Sequence, residues 1–467
     1  MKKRIFILWF VFWAGWLQGQ QVVVSGHVEG FSPGTLIRVQ VYADQFSRLE
    51  KTLAATRTDL SGNFRMTFQL KRTTFALLAV NLQKSSFFLT PGGVYRFEVK
   101  KDTVTPSPTP FDQTALRVSL QAEDDSLNAR IDAYEQMFDR FVRWHFRDIY
   151  QYHKRQVFED FKTRVMHRFQ GVKSAYLRQY IRYALASVAW GARMGTLPEL
   201  AQKYFVGQPV LYQNIQYTDF FLDFFQAYFQ STVQKPVSID RLVRIVPLRD
   251  VEKLDALFAQ APVMGRDARV RQLAEMVQLA AYFHDRNFDQ KDILFLFDAI
   301  ARTSVYPENR QVAKNYMKKL KELQPGMPAP DFLLPDVTGK ELSLKNFRGK
   351  FVLISFVRTR CPVCNFQLQQ LKSLQNDLID FTNLTIVSGK ITADFMQKVN
   401  PAGQPWPFLL LGNDVLLLEK YQVVTYPAYV LIDPAGRISM APAPMPGENL
   451  EQRLRTVINA FKKRIQN

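Results

Sequence analysis

Gly349-Lys350-Phe351-Val352-Leu353-Ile354-Ser355-Phe356-Val357-Arg358-Thr359-Arg360-Cys361-Pro362-Val363-Cys364 decides how the last third of this chain folds. Phe351 to Phe356 is a β-rich run of strand length, and after the cysteines Phe366, Leu368, Leu371, Leu374 and Leu378 recur at helical spacing. The stretch is therefore a strand that turns into an amphipathic helix, with both cysteines at the turn. If Cys361 caps that helix, Pro362 takes the first helical position, where its missing N–H costs nothing. Cys364 then lies one turn inside, within disulfide reach. A sulfur at a helix N-terminus meets unpaired N–H groups and the positive end of the dipole, which favour thiolate over thiol. Arg358 and Arg360 add positive charge, so Cys361 is expected to titrate below the ~8.5 of an ordinary cysteine. Cys361 is accordingly the attacking sulfur, and Cys364 resolves the mixed disulfide. The reading requires a solvent route to the pair.

The rest of the composition sharpens this. The pair are the only cysteines in 467 residues. Oxidising compartments convert stray thiols into disulfides, and a bridge over two residues constrains the unfolded chain very little, so the pair is there for chemistry. Export is expected from the N-terminus: Lys2, Lys3 and Arg4 precede an apolar run from Ile5 to Leu17 that ends at Gln18-Gly19-Gln20. Thirteen residues are too short to span a ~30 Å hydrocarbon core comfortably, so residues 1–20 read as a secretory signal peptide, with an uncleaved anchor as the alternative. No cysteine lies nearby to carry a lipid, which places the protein in the periplasm or cell envelope, not as a lipoprotein. The net charge of +19 is spread along the chain without a dense basic run, so a solvated basic surface is expected and a nucleic-acid partner is not.

Working outward, the length exceeds a single core and 47% apolar residues can fill several. Residues 21–102 read as a small β-sandwich. Short β-rich runs such as Leu36 to Tyr42, Phe64 to Leu70 and Tyr95 to Lys100 are separated by Ser32-Pro33-Gly34, Asp59-Leu60-Ser61-Gly62-Asn63 and Thr90-Pro91-Gly92-Gly93. Residues 103–123, with Pro106, Pro108 and Pro110, read as an extended linker. Residues 124–323 change to helical spacing, for example Ile131, Tyr134, Phe138, Phe141, His145 and Ile149, and form an all-helical domain of about seven helices. Asp59 and Asp44 are turn-formers before they are metal ligands, and the Phe220, Phe221, Phe224, Phe225 and Phe229 stripe is packing before it is a partner groove. The fold class is thus multidomain: an N-terminal β-sandwich, an all-α middle and a C-terminal α/β domain over residues 324–467.

That last domain resembles the thioredoxin superfamily, and within it the exported TlpA-like and ResA-like branch. The motifs appear in the family's order: Ala329-Pro330-Asp331-Phe332, then Asp336 to Lys340, the strand before C-P-V-C, and Thr425-Tyr426-Pro427 leading into Ala428 to Asp433 and the Pro434-Ala435-Gly436 turn. The resemblance implies a thioredoxin fold and exchange of disulfides with proteins of the cell envelope. It implies reduction rather than oxidation, from a membrane-linked electron donor. Its redox group is the Cys361–Cys364 disulfide itself, with no other cofactor and no metal. It implies a cis bond before Pro427, which lies against the sulfurs, and a substrate peptide held by the backbone of Tyr426, with Pro362 on the same contact face. The chain departs from the family at Val357 and Arg360, where tryptophans are usual. Ser355 and Gln367 replace carboxylates.

Three rivals remain. C-x-x-C as half a zinc site lacks partners, since a structural site needs about four ligands and no histidine follows His284. Peroxiredoxin chemistry shares the Ala329 to Phe332 opening but calls for Thr or Ser three residues before the reactive sulfur, where Arg358 or Cys361 stands. A scaffold or binding protein with a sensory or vestigial redox domain is the third.

Overall fold

The computed structural model describes residues 19–101, 116–121, 126–230, 237–359, 361–377, 381–399 and 406–466. The expected signal peptide therefore lies almost wholly outside the described residues, as do most of the proline-rich stretch and Arg360.

Eight strands build the N-terminal sandwich: β1 (Gln20–Glu29), β2 (Leu36–Tyr42), β3 (Glu50–Arg57), β4 (Asn63–Leu70), β5 (Thr74–Val80), β6 (Gln83–Leu89), β7 (Val94–Lys101) and β8 (Leu116–Gln121). They form two four-stranded sheets, ordered β4-β1-β7-β8 and β3-β2-β5-β6. Period-two alternation turns Val22, Val24, Phe64, Met66, Phe97 and Val99 inward, where they meet Ile37, Val39, Ala76 and Leu78 of the other sheet. Two edge strands differ from the sequence reading. β3 has almost no apolar pattern because an edge strand buries little, and its residues are half-buried or exposed. β8 falls inside the expected linker; the alternation Leu116, Val118, Leu120 lets residues 116–121 pair with β7 as an antiparallel edge. Asp59 is the turn-former expected, its carboxylate accepting the N–H of Ser61 and of Asn63 at 2.9 and 2.8 Å.

The middle of the chain is helical: α1 (Leu127–Phe146), α2 (Arg155–Arg168), α3 (Ala175–Gly191), α4 (Leu197–Tyr204), α5 (Ile215–Gln230), α6 (Ile239–Ile245), α7 (Val251–Ala259), α8 (Ala268–Ala281), α9 (Gln290–Thr303) and α10 (Pro307–Lys321). The three beyond the expected seven are α2, α4 and α6. α2 buries only Phe158, Phe161 and Val165, and the other two are about two turns long, so none shows a long apolar period. Ser126, Ser174, Thr196, Asp250, Asp267 and Asp289 cap helix starts through their side-chain oxygens. Phe220, Phe221, Phe224 and Phe225 are fully enclosed, which makes the stripe core; the Phe229 side chain lies outside the described ones.

The last domain contains β9 (Leu333–Pro335), β10 (Glu341–Ser343), β11 (Phe351–Arg358), α11 (Pro362–Asp377), β12 (Phe381–Ser388), α12 (Ala393–Val399), β13 (Phe408–Leu410), α13 (Leu416–Lys420), β14 (Ala428–Ile432), β15 (Ile438–Ala443) and α14 (Leu450–Gln466). Its main sheet runs β13-β12-β11-β14-β15, with β11, β12 and β13 parallel and β14 and β15 antiparallel to their neighbours. Residues of β11 alternate between two buried faces, so the strand reads as a continuous apolar run. Phe351, Leu353 and Val357 pack with both cysteines, α11 and α14; Val352, Ile354 and Phe356 pack with α13 and β9. This is the expected thioredoxin arrangement.

The three parts are docked on one another. Asp44, in the turn after β2, accepts from Ser47 N–H and from the Asn315 amide of α10, each at 2.7 Å, while Tyr316 and Lys319 donate to the carbonyls of Phe46 and Ser47. On the same sheet, Arg38 pairs with Glu419 of α13 at 2.6 Å, and Lys84 and Gln40 converge on that carboxylate.

Candidate functional site

The site grows from the end of β11. Apolar packing on both faces fixes this strand, and its last residues lead into a turn tied to the end of β12 by Thr359 N–H to Ser388 O at 3.1 Å. Gly389 makes that closeness possible. It sits at φ +104°, and a Cβ there would come within 2.3 Å of the Thr359 hydroxyl.

Cys361 stands immediately before α11, and its carbonyl accepts the first helical bond from Asn365 N–H at 3.1 Å. Pro362 is the first helical residue, as the sequence predicts. The Cys361 sulfur accepts the N–H of Cys364 at 3.1 Å, so it occupies the side-chain capping position at the positive end of the helix. The two cysteines are joined as a disulfide with Cα atoms 5.2 Å apart. Pro427 enters from the neighbouring strand. Ala428 pairs with Phe356, so the next step of the antiparallel register sets Pro427 opposite Val357, and the Tyr426–Pro427 bond is cis. Tyr426 is held between strand ends: its ring lies 5.9 Å from the Arg358 guanidinium and its hydroxyl is hydrogen-bonded to Ser388. Burial raises the pKa of this phenol.

Cys361, Cys364, Pro362, Tyr426, Pro427 and Arg358 are thus gathered at one end of the sheet. Arg360, also expected there, lies outside the described residues. Among the described residues no group of His, Cys, Asp and Glu is set to hold a metal ion. Two findings differ from the sequence reading. Both sulfurs are wholly buried, packed in the cluster that includes Trp406 and, at its margin, Tyr426, Ile391 and Met445. Phe366, which shares the apolar helical spacing of Leu368 and Leu371, is 57% exposed, and Val363 on the first turn of the same helix is 42% exposed.

Sequence reasoning singled out Ser355 but missed its neighbours in the row beneath the sulfurs. Thr385, Ser355 and Tyr429 are direct neighbours across β12, β11 and β14, on the face that carries the cysteines. Trp406 donates its indole N–H to Thr385 at 3.0 Å. The hydroxyls of Ser355 and Tyr429 and the carbonyl oxygen of Gln367 are buried with no partner among the described residues. Tyr429 was visible as the second residue after Pro427, but only the register reveals that it neighbours Ser355.

Residues 325–441 match the model of the AhpC/TSA family. Among curated proteins, the thioredoxin-like protein YneN of Bacillus subtilis is 27% identical over 144 residues, which cover 30% of this chain and 85% of YneN. The thiol-disulfide oxidoreductase ResA of Bacillus subtilis is 27% identical over 117 residues, 24% of this chain and 64% of ResA. Among solved structures, a thiol:disulfide interchange protein from Bacteroides sp. is similar at 27% identity and a TM-score of 0.27, over 30% of this chain and 92% of that one. The C-terminal third is similar to thioredoxin-like, ResA-like thiol-disulfide oxidoreductases. This redox domain lacks a carboxylate at 355 and 367, and its buried face offers hydroxyls and amides instead. The family match leaves the sandwich and the helices outside its span.

Proposed function

We propose that the protein is exported and transfers electrons to disulfides of envelope proteins through the Cys361–Cys364 pair. The observation that carries this reading is the pair's position, two bonded sulfurs where a coil becomes α11, with Cys361 in the capping place. In the reduced form the Cys361 thiolate attacks one sulfur of a substrate disulfide, forming a mixed disulfide and releasing the first substrate thiolate. Cys364 gives up its proton and attacks the Cys361 sulfur, releasing the second substrate thiolate and closing the pair. Two electrons have moved to the substrate, and a membrane-linked dithiol donor restores the starting state.

On this reading the helix N-terminus and the positive charge of Arg358 favour the Cys361 thiolate. Tyr426 and Pro427 present backbone to an extended substrate segment, and Pro362, Val363 and Phe366 form the opposite lip. Because both sulfurs are buried, docking of substrate must displace part of their cover before attack. Export is supported by the cationic start at Lys2 to Arg4 and the apolar run to Leu17. Among the described residues no helix is long and apolar enough to cross a membrane.

The test is insulin reduction by the wild type against Cys361→Ser. The variant should fall to the uncatalysed rate, whereas equal rates would turn the reading toward a scaffold with a vestigial redox domain. Cys364→Ala should accumulate a mixed disulfide through Cys361 and thereby capture substrates. Peroxide reduction is the second reading, favoured by the AhpC/TSA match. Consumption of hydrogen peroxide faster than of insulin disulfides would select it.

A further inference from the structure

A cavity of about 830 Å³ lies where the open edge of the sandwich faces the helices. Its size falls within the ~300–1,000 Å³ of ligand sites. The sandwich wall comes from β6 and β8, the end strands of their sheets. End strands carry backbone N–H and C=O groups with no neighbouring strand. Asn128, at the start of α1, shows how those groups can be met: its amide accepts the Phe88 N–H at 2.7 Å and donates to the Phe88 carbonyl at 2.8 Å. One side chain thus copies the paired bonds of a neighbouring strand. Such outward-facing pairs recur every second residue on an antiparallel strand. Ser86 is therefore the next to offer N–H and C=O on that side, and it is exposed and lines the cavity.

The helical wall is acidic. Asp132, Glu135 and Asp219 face the space against one guanidinium among the described lining residues, that of Arg48, which is already paired with Asp219. This occurs in a chain of net charge +19, whose surface would otherwise draw acidic ligands. Glu135 is fixed by the Tyr180 hydroxyl at 2.8 Å, and burial pushes its carboxyl above the ordinary range, so an incoming cation would relieve it. The rings of Tyr42, Phe75 and Phe88, in contact at 5.8 and 5.6 Å, supply an apolar wall with faces that accept cations.

We propose that this cavity binds an extended polypeptide segment that adds to β6 at Ser86 and sends a lysine or arginine side chain to Glu135 and Asp132. Backbone bonds supply affinity and the acidic wall selects. The site needs neither sulfur and stands apart from the redox reading. The test is fluorescence anisotropy of the full chain with a labelled seven-residue peptide of alternating valine, threonine and lysine, and with its glutamate-for-lysine twin. The lysine peptide should bind at least tenfold more tightly. Glu135→Gln combined with Asp132→Asn should erase that preference, and Ser86→Pro should weaken the lysine peptide tenfold or more. Should Ser86→Pro fail to fold, N-methylation of alternate amides in the peptide removes the same bonds from the ligand side and should cost the same factor. Equal binding of the two peptides, binding of neither, or indifference to N-methylation overturns the proposal.

Discussion

Asp44 and Ser355 are both buried, at 4% and 0% exposure, yet they are treated in opposite ways. Asp44, where the sandwich meets the helices, accepts from the backbone and hydroxyl of Ser47 and from the Asn315 amide. Ser355, in the row under the sulfurs, has a hydroxyl without a partner among the described residues, as do Tyr429 and the Gln367 carbonyl oxygen. A buried polar atom left unpaired costs about 1–3 kcal/mol, so the two regions carry different loads. The junction spends its polar groups on holding the parts together. The redox face instead leaves neutral groups unpaired in the row beneath the sulfurs.

The largest effect expected from this contrast is at the junction. Asp44→Ala strands several buried donors and should cost about 3 kcal/mol or more, read from the urea midpoint by circular dichroism. A loss under about 1 kcal/mol would break the comparison. Glu419→Gln leaves Arg38, whose side chain is 5% exposed, without its counter-charge. A fully buried pair would lose more, but Glu419 is 29% exposed, so about 2 kcal/mol is expected by the same measurement.

Acid should separate the two contacts. Burial raises the Glu419 pKa, but the hydrogen bond and charge of Arg38, with Lys84 and Gln40, outweigh it and hold the carboxyl below its ordinary 4.5. Its contribution is therefore present above about pH 4.5 and lost as pH falls through the lower folded value. Asp44 is the reverse: burial pushes it above 3.8 despite its hydrogen bonds, so its stabilising share is full below that value and shrinks as pH rises through the folded pKa. Hydrogen exchange, corrected for intrinsic rates, should show α13 losing protection below pH 4.5 before α10 does. The smallest effect belongs to Ser355→Ala. With no bond to lose, it should leave stability within about 1 kcal/mol and insulin reduction within threefold. A tenfold loss of rate with an unchanged melting temperature would instead place Ser355 in the proton path.

How much of this was legible in the sequence follows the same division. The C-P-V-C turn, Pro362 at the helix start and the strand before it could be read because each depends on neighbours within a few residues. The sandwich core and the longer helices showed in periods of two and three to four. β3 and β8 escaped because edges bury too little to impose a pattern. Asp44 read as a turn residue because its partner, Asn315, lies 271 positions away. Phe366 shares the apolar spacing of Leu368 and Leu371, and spacing alone cannot tell the margin of a helix face from its centre. The Thr385, Ser355 and Tyr429 row needed the pairing of three strands, and Arg360 lies outside the described residues.

The concealment of Cys361 and Cys364 carries a kinetic signature. A reagent, however concentrated, meets such a bridge only as often as its cover lifts, so the rate of opening, not collision, sets the ceiling. Reduction of the native protein by dithiothreitol should therefore level off as the reagent is raised, while the urea-unfolded chain keeps responding in proportion.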